Sequence, residues 1–270
     1  MQAGSKQVKQ YIYLMKLILS LLLFTVAVIL KTNAQTIEVY TSDTTYLAPL
    51  KDRFTAPWPH NKTINLVFHG HSVPAGYFTT PAIHTMEAYP ELTLKYLSEK
   101  YPFAVINVIK TCIGGENAVQ GAARFDREVL THQPDILFID YALNDRGAGL
   151  EKSRIAWESM IEKALDEHIK VVLFTPTPDT TEDILDTNAL LYKHTQQIIA
   201  LADKYHIAVV DCYNAFRALA AEGKDIRQYM SQVNHPNARG HEVVLGEIRK
   251  IFGEVVSDNV KLTSYSQREL

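Results

Sequence analysis

Cysteine is scarce in this chain, with two among 270 residues, and no Lys/Arg run of five or more occurs. Two cysteines allow at most one disulfide. The missing basic run, together with a formal charge of -3, argues against nucleic-acid binding. Long apolar runs are lacking too. The best candidate, Leu17 to Leu30, has fourteen residues broken by Ser20 and Thr25, short of the roughly 20 needed to span a bilayer. No internal repeat or low-complexity stretch is visible. What remains is ordinary globular composition, 47% hydrophobic and 21% charged. That suffices for one well-cored domain and is thin for two.

The apolar run follows Lys6, Lys9 and Lys16 and precedes Lys31-Thr32-Asn33-Ala34-Gln35. Small residues at Thr32 and Ala34 suit signal-peptidase cleavage after Ala34. Residues 1–34 are therefore expected to be a signal peptide and the protein to be exported, periplasmic or secreted. An uncleaved anchor is the alternative. The absence of a cysteine near the cleavage site argues against a lipoprotein anchor. Met15-Lys16 also reads as a start, which would make residues 1–14 an upstream extension. Cleavage removes four lysines and no acids, taking the net charge from -3 to -7, which fits a mildly acidic soluble enzyme without a membrane partner. Export permits a disulfide, but Cys112 and Cys212 each follow a predicted strand. In a sheet of order 2-1-3-4-5 those strands lie at opposite edges, too far apart to bridge, so both are expected to stay unpaired.

From residue 64 the pattern alternates strand and helix. Predicted strands are Ile64–Phe68, Phe103–Ile109, Ile136–Tyr141, Lys170–Thr175 and Ile207–Asp211. Predicted helices cover 82–100, with Pro90 kinking or restarting it, then 118–130, 152–168, 188–205 and 242–252. Continuous apolar strands between amphipathic helices imply a parallel sheet covered on both faces. With right-handed crossovers, the expectation is an α/β fold, a three-layer α/β/α sandwich with a five-stranded parallel sheet in flavodoxin-like order 2-1-3-4-5. Residues 35–63 read as a short strand plus a wrapping segment, 64–256 as the single domain, and 257–270 as a tail.

Functional groups in such folds collect where strands end. The first strand is followed by His69-Gly70-His71-Ser72-Val73-Pro74-Ala75-Gly76, the second by Thr111-Cys112-Ile113-Gly114-Gly115-Glu116-Asn117, and the third by Asn144-Asp145. Asn234-His235-Pro236-Asn237-Ala238-Arg239-Gly240-His241 lies beyond the fifth. Acyl transfer needs this set: a Ser nucleophile, a His base, and N–H donors for the tetrahedral oxyanion. Ser72 is the candidate nucleophile and His235 the candidate base. The oxyanion donors are the N–H groups of Ser72 and Gly115 and the amide of Asn144. Bland readings stand beside each: Ser72 as a helix cap, Gly114 in place of Gly115, Asn144 bonding loop backbone, and His241 as the base instead. His69-x-His71 invites a metal, but no neighbouring cluster completes a ligand set. Residues 179–183 read as a solvated acidic loop lining the cleft.

Gly70-His71-Ser72-Val73 resembles the first block of the SGNH (GDSL-like) hydrolases, usually Gly-Asp-Ser-Leu. Gly115, Asn144-Asp145 and His235 resemble the second, third and last blocks, in family order across roughly residues 64–252. The resemblance implies a serine esterase without metal or organic cofactor. Three departures stand out: His71 for Asp, Ala142 for Gly, and Gln232 where the triad Asp is usual. Gln232, or a nearby backbone carbonyl, is then expected to orient His235 in a Ser-His dyad; Asp145 and Glu116 are the nearest acids. Acetyl esters on carbohydrates are the expected substrate, with Tyr77, Phe78 and Tyr141 available to stack on sugars. A lipase- or thioesterase-like acyl hydrolase and a non-catalytic carbohydrate-binding relative are the alternatives.

Overall fold

The computed structural model describes residues 45–253, and Met15 alone before them. The chain divides into Met1–Tyr40 and Thr41–Leu270, and the described fold belongs to the second unit. The expected signal peptide, any strand within residues 36–44, and the 257–270 tail lie outside the described residues. Among the described residues, no helix is long and apolar enough to cross a membrane.

Five strands form the sheet: β1 (Thr63–Gly70), β2 (Val105–Lys110), β3 (Ile136–Asp140), β4 (Lys170–Phe174) and β5 (Ala208–Val210). All pair in parallel, in the order β2-β1-β3-β4-β5, which is the expected topology. Side chains alternate between the two faces of a strand, and both faces are covered here. Leu66, Phe68, Ile136, Phe138, Val172 and Phe174 pack into one core cluster. Val67, Leu137, Ile139, Val171 and Leu173 pack into the other. The first is closed by α3 (Tyr89–Lys100), α7 (Cys212–Ala221) and α8 (Ala238–Ile251), the second by α4 (Ala118–Glu128), α5 (Leu150–Asp166) and α6 (Leu190–Tyr205). This is the three-layer sandwich.

Two local expectations need correction. The wrapping segment, where described, forms a 3₁₀ turn (Ala48–Leu50) and a short helix, α1 (Lys51–Thr55). The helix expected over 82–100 begins at Tyr89, because Pro90 sits in its first turn, where a missing N–H costs nothing, and so starts the helix rather than kinking it. Helix α7 is an addition to the expected elements; the Asp211 side chain caps it by accepting the Asn214 N–H. Cys112 and Cys212 follow the two edge strands and are both free, as their placement requires.

Candidate active site

The β1–β3 register sets Gly70 opposite Asp140. Their approach is close: a Cβ on Gly70 would lie 2.6 Å from the Asp140 carbonyl oxygen, so only glycine fits. The chain then turns into a single helical turn, α2 (Ser72–Ala75), ended by Gly76 at φ 94° in the left-handed region that glycine adopts without strain. Ser72 opens this turn and is nearly buried. From the far end of the chain, the two-stranded hairpin of β6 (Met230–Gln232) and β7 (His235–Pro236) brings in His235.

His235 Nε2 lies 2.9 Å from Ser72 Oγ, and Nδ1 lies 3.0 Å from the Phe78 carbonyl oxygen. A carbonyl only accepts, so Nδ1 carries the proton and donates to Phe78, leaving Nε2 as the acceptor for the Ser72 hydroxyl. Burial lowers the pKa of His235, the Phe78 hydrogen bond partly offsets this, and the neighbouring His71 lowers it further. The ring is therefore neutral at neutral pH, the form a general base needs.

Around the same strand ends, Gly115 sits at φ 82° with open space where a side chain would be. Asn144 Nδ2 donates to the Glu116 carbonyl at 2.8 Å, which ties the third strand's loop to the second's and leaves the other N–H of that amide for another acceptor. Asp145 is fully buried, accepting from Ala118 N at 2.8 Å and Trp157 Nε1 at 2.7 Å. Burial pushes its pKa up to about 6 against the pull of those two donors.

The GDSL-like lipase/acylhydrolase family matches residues 68–243. The chain belongs to that family. As such it is a carboxylic-ester hydrolase, of the SGNH type that the sequence motifs resemble. Solved structures share the fold. Axe2, an acetylxylan esterase from Geobacillus stearothermophilus, is 18% identical over 71% of this chain and 95% of its own, with a TM-score of 0.62. A two-domain esterase active on acetylated mannans is 20% identical over 84% of this chain and 57% of its own, with a TM-score of 0.63. The same esterase with mannopentaose gives 21%, 77%, 54% and 0.64. No curated protein matches the chain.

Within this GDSL-like hydrolase the departures have physical readings. His71 caps the turn that Ser72 opens: its Nδ1 accepts the Val73 N–H at 3.2 Å. That fixes its proton on Nε2, which faces Asp140 Oδ1 at 3.3 Å, while Asp140 Oδ2 accepts the Tyr89 hydroxyl at 2.9 Å. A buried carboxylate thus persists near the first block, moved one strand across. Ala142 packs in the core beside Tyr141.

Gln232 does not orient His235. Its Oε1 accepts the Thr80 N–H at 3.0 Å and its Nε2 reaches toward Asn234, while the Phe78 carbonyl holds the imidazole. Asp145 and Glu116 are engaged elsewhere, Glu116 with Arg124 at 2.7 Å. His241, the rival base, is buried in the first turn of α8, where its Nδ1 accepts the Tyr89 N–H. Burial drives its pKa down to about 3.

His69 and His71 have separate partners, His69 bonding Thr111 and the Gly121 carbonyl. Tyr141 is fully buried, its hydroxyl held by Arg124, so it cannot stack on a substrate. Phe78 stacks on His84 with ring centroids 4.2 Å apart. The 179–183 loop is not freely solvated: Arg146 clamps Asp179 and Glu182 together.

The tautomer and burial of His235 set the expected pH behaviour. Because burial lowers its pKa, the acidic limb of kcat/KM should fall below the ordinary histidine value of about 6.5. Gln232→Ala should leave that limb in place, since the amide touches the Thr80 backbone and not the imidazole. A pH–rate profile of both proteins checks this; a limb displaced in the variant would return Gln232 to the mechanism.

Proposed function

We propose that the mature chain removes acetyl groups from carbohydrate esters by Ser-His catalysis. The observation that carries this is the Ser72–His235–Phe78 carbonyl chain of hydrogen bonds. In the first step His235 Nε2 takes the Ser72 hydroxyl proton as Oγ bonds to the ester carbonyl carbon, whose oxygen becomes the oxyanion. Ser72 N–H, Gly115 N–H and the Asn144 amide are its donors in this reading. Collapse breaks the bond to the alcohol oxygen, which leaves with the proton from Nε2. Water then repeats the cycle on the acyl-enzyme, losing its proton to His235 and releasing acetate and free Ser72. The Phe78 carbonyl orients the ring but carries no full charge, so the imidazolium is less stabilised than beside a carboxylate.

The carbohydrate reading draws on the fold shared with esterases described as acting on acetylated xylan and mannan. Export by the signal peptide read over residues 1–34 is part of the same proposal, since it brings the enzyme to polymeric substrates. Residues 35–270 assayed on p-nitrophenyl acetate, p-nitrophenyl octanoate and acetylated xylan and mannan should favour acetate and release acetate from a polysaccharide. A preference for octanoate would replace this with a lipase-like activity. Polysaccharide binding without turnover would make the chain a binding protein. For export, intact-mass analysis of the secreted protein should find Gln35 as its first residue.

A further inference from the structure

Tyr77 stands between the two halves of the site. Its ring centroid lies 5.8 Å from that of His235, the planes tilted by 55°. The ring also packs on Gly114, where a Cβ would come within 2.9 Å of Tyr77 Cζ and 3.0 Å of Oη. One aromatic ring therefore spans from the base to the loop that carries Gly115. Main-chain bonds hold it there. The Tyr77 N–H donates to the Ser72 carbonyl at 3.0 Å, and Tyr77 pairs with Ile83 in an isolated antiparallel bridge. Gly114 is small because the ring occupies the space a side chain would need.

We propose that Tyr77 is the specificity-determining residue that closes the acyl side of the cleft and restricts the enzyme to short acyl groups such as acetyl. This rests on the esterase reading above. An ester poised for attack has its carbonyl carbon at Ser72 Oγ, its carbonyl oxygen toward the Gly115 loop, and its alcohol oxygen within reach of His235 Nε2. The acyl chain is the remaining substituent, and it departs from a centre flanked by the two groups that Tyr77 touches. A methyl fits short of the ring; further methylenes meet it. The ring cannot retreat toward Gly114, because it is already in contact there.

The test is the ranking of kcat/KM over p-nitrophenyl acetate, butyrate, hexanoate and octanoate, for the wild type, Tyr77→Ala, Tyr77→Val and Tyr77→Phe, with melting curves to confirm folding. The wild type should fall steeply with chain length. Tyr77→Ala should raise the octanoate-to-acetate ratio by at least about tenfold, since misfit of a methylene in a pocket is worth roughly 10–200-fold. Tyr77→Val should move the same way, and Tyr77→Phe should keep the wild-type ranking, because the ring and not the hydroxyl is the wall. A wild type active on acetate whose ranking is unmoved in folded Ala and Val variants overturns the inference alone. So does a shift confined to alcohol preference, measured with acetates of small and bulky alcohols, which would put the ring on the leaving-group side. A wild type inactive on every ester overturns the esterase reading and the inference with it.

Discussion

Ser72→Ala should lower kcat by about 10⁴-fold or more, since removing the nucleophile of an acyl-transfer site leaves only what the remaining donors and binding supply. The expectation stands on the 2.9 Å bond from Oγ to His235 Nε2. Alanine keeps the helical turn, because the variant loses one oxygen and no backbone bond, so the melting temperature should change little. Turnover of p-nitrophenyl acetate near wild-type level in the purified variant would show that another group attacks. A sulfonyl fluoride that labels the wild type and not the variant would tie the loss to the same oxygen.

Asn144→Ala should cost about 10²–10³ in kcat with little change in KM, the signature of a donor used mainly in the transition state. The amide also donates to the Glu116 carbonyl at 2.8 Å, so its removal slackens the 113–117 loop as well. The melting temperature separates the two effects: a fall in kcat in a variant that stays folded at the assay temperature and melts close to the wild type points to the oxyanion. A raised KM with unchanged kcat would make Asn144 a substrate-binding residue.

Much of the fold was legible because parallel strands buried on both faces read as unbroken apolar runs, as in Ile136–Ile139 and Val171–Phe174. The meeting of Ser72 and His235 was legible because their chemistry is in their side chains and their order follows the strands. The orienter of His235 was not, because it is a main-chain oxygen and every residue has one. Helix α7 was hidden for a related reason: Asp211 ends β5 and caps the helix at once, so no loop signal separates them. His71 read only as a substitution, since its bond from the Val73 N–H and the approach of Asp140 from another strand show only in the folded chain. Asp179 read as solvated because its partner, Arg146, is remote in sequence.

The Phe78 carbonyl has a consequence for how this site tolerates sequence change. A triad carboxylate is lost by one substitution, whereas no side-chain replacement at position 78 deletes the oxygen that holds His235. What the contact depends on is the path of the chain between Gly76 and Ile83, held by the Tyr77–Ile83 bridge and the Phe78 N–H to Ala82 carbonyl bond. Point variation along this loop is thus comparatively safe for the base, while insertion or deletion of a single residue shifts the carbonyl out of register. The site has exchanged vulnerability to substitution for vulnerability to length.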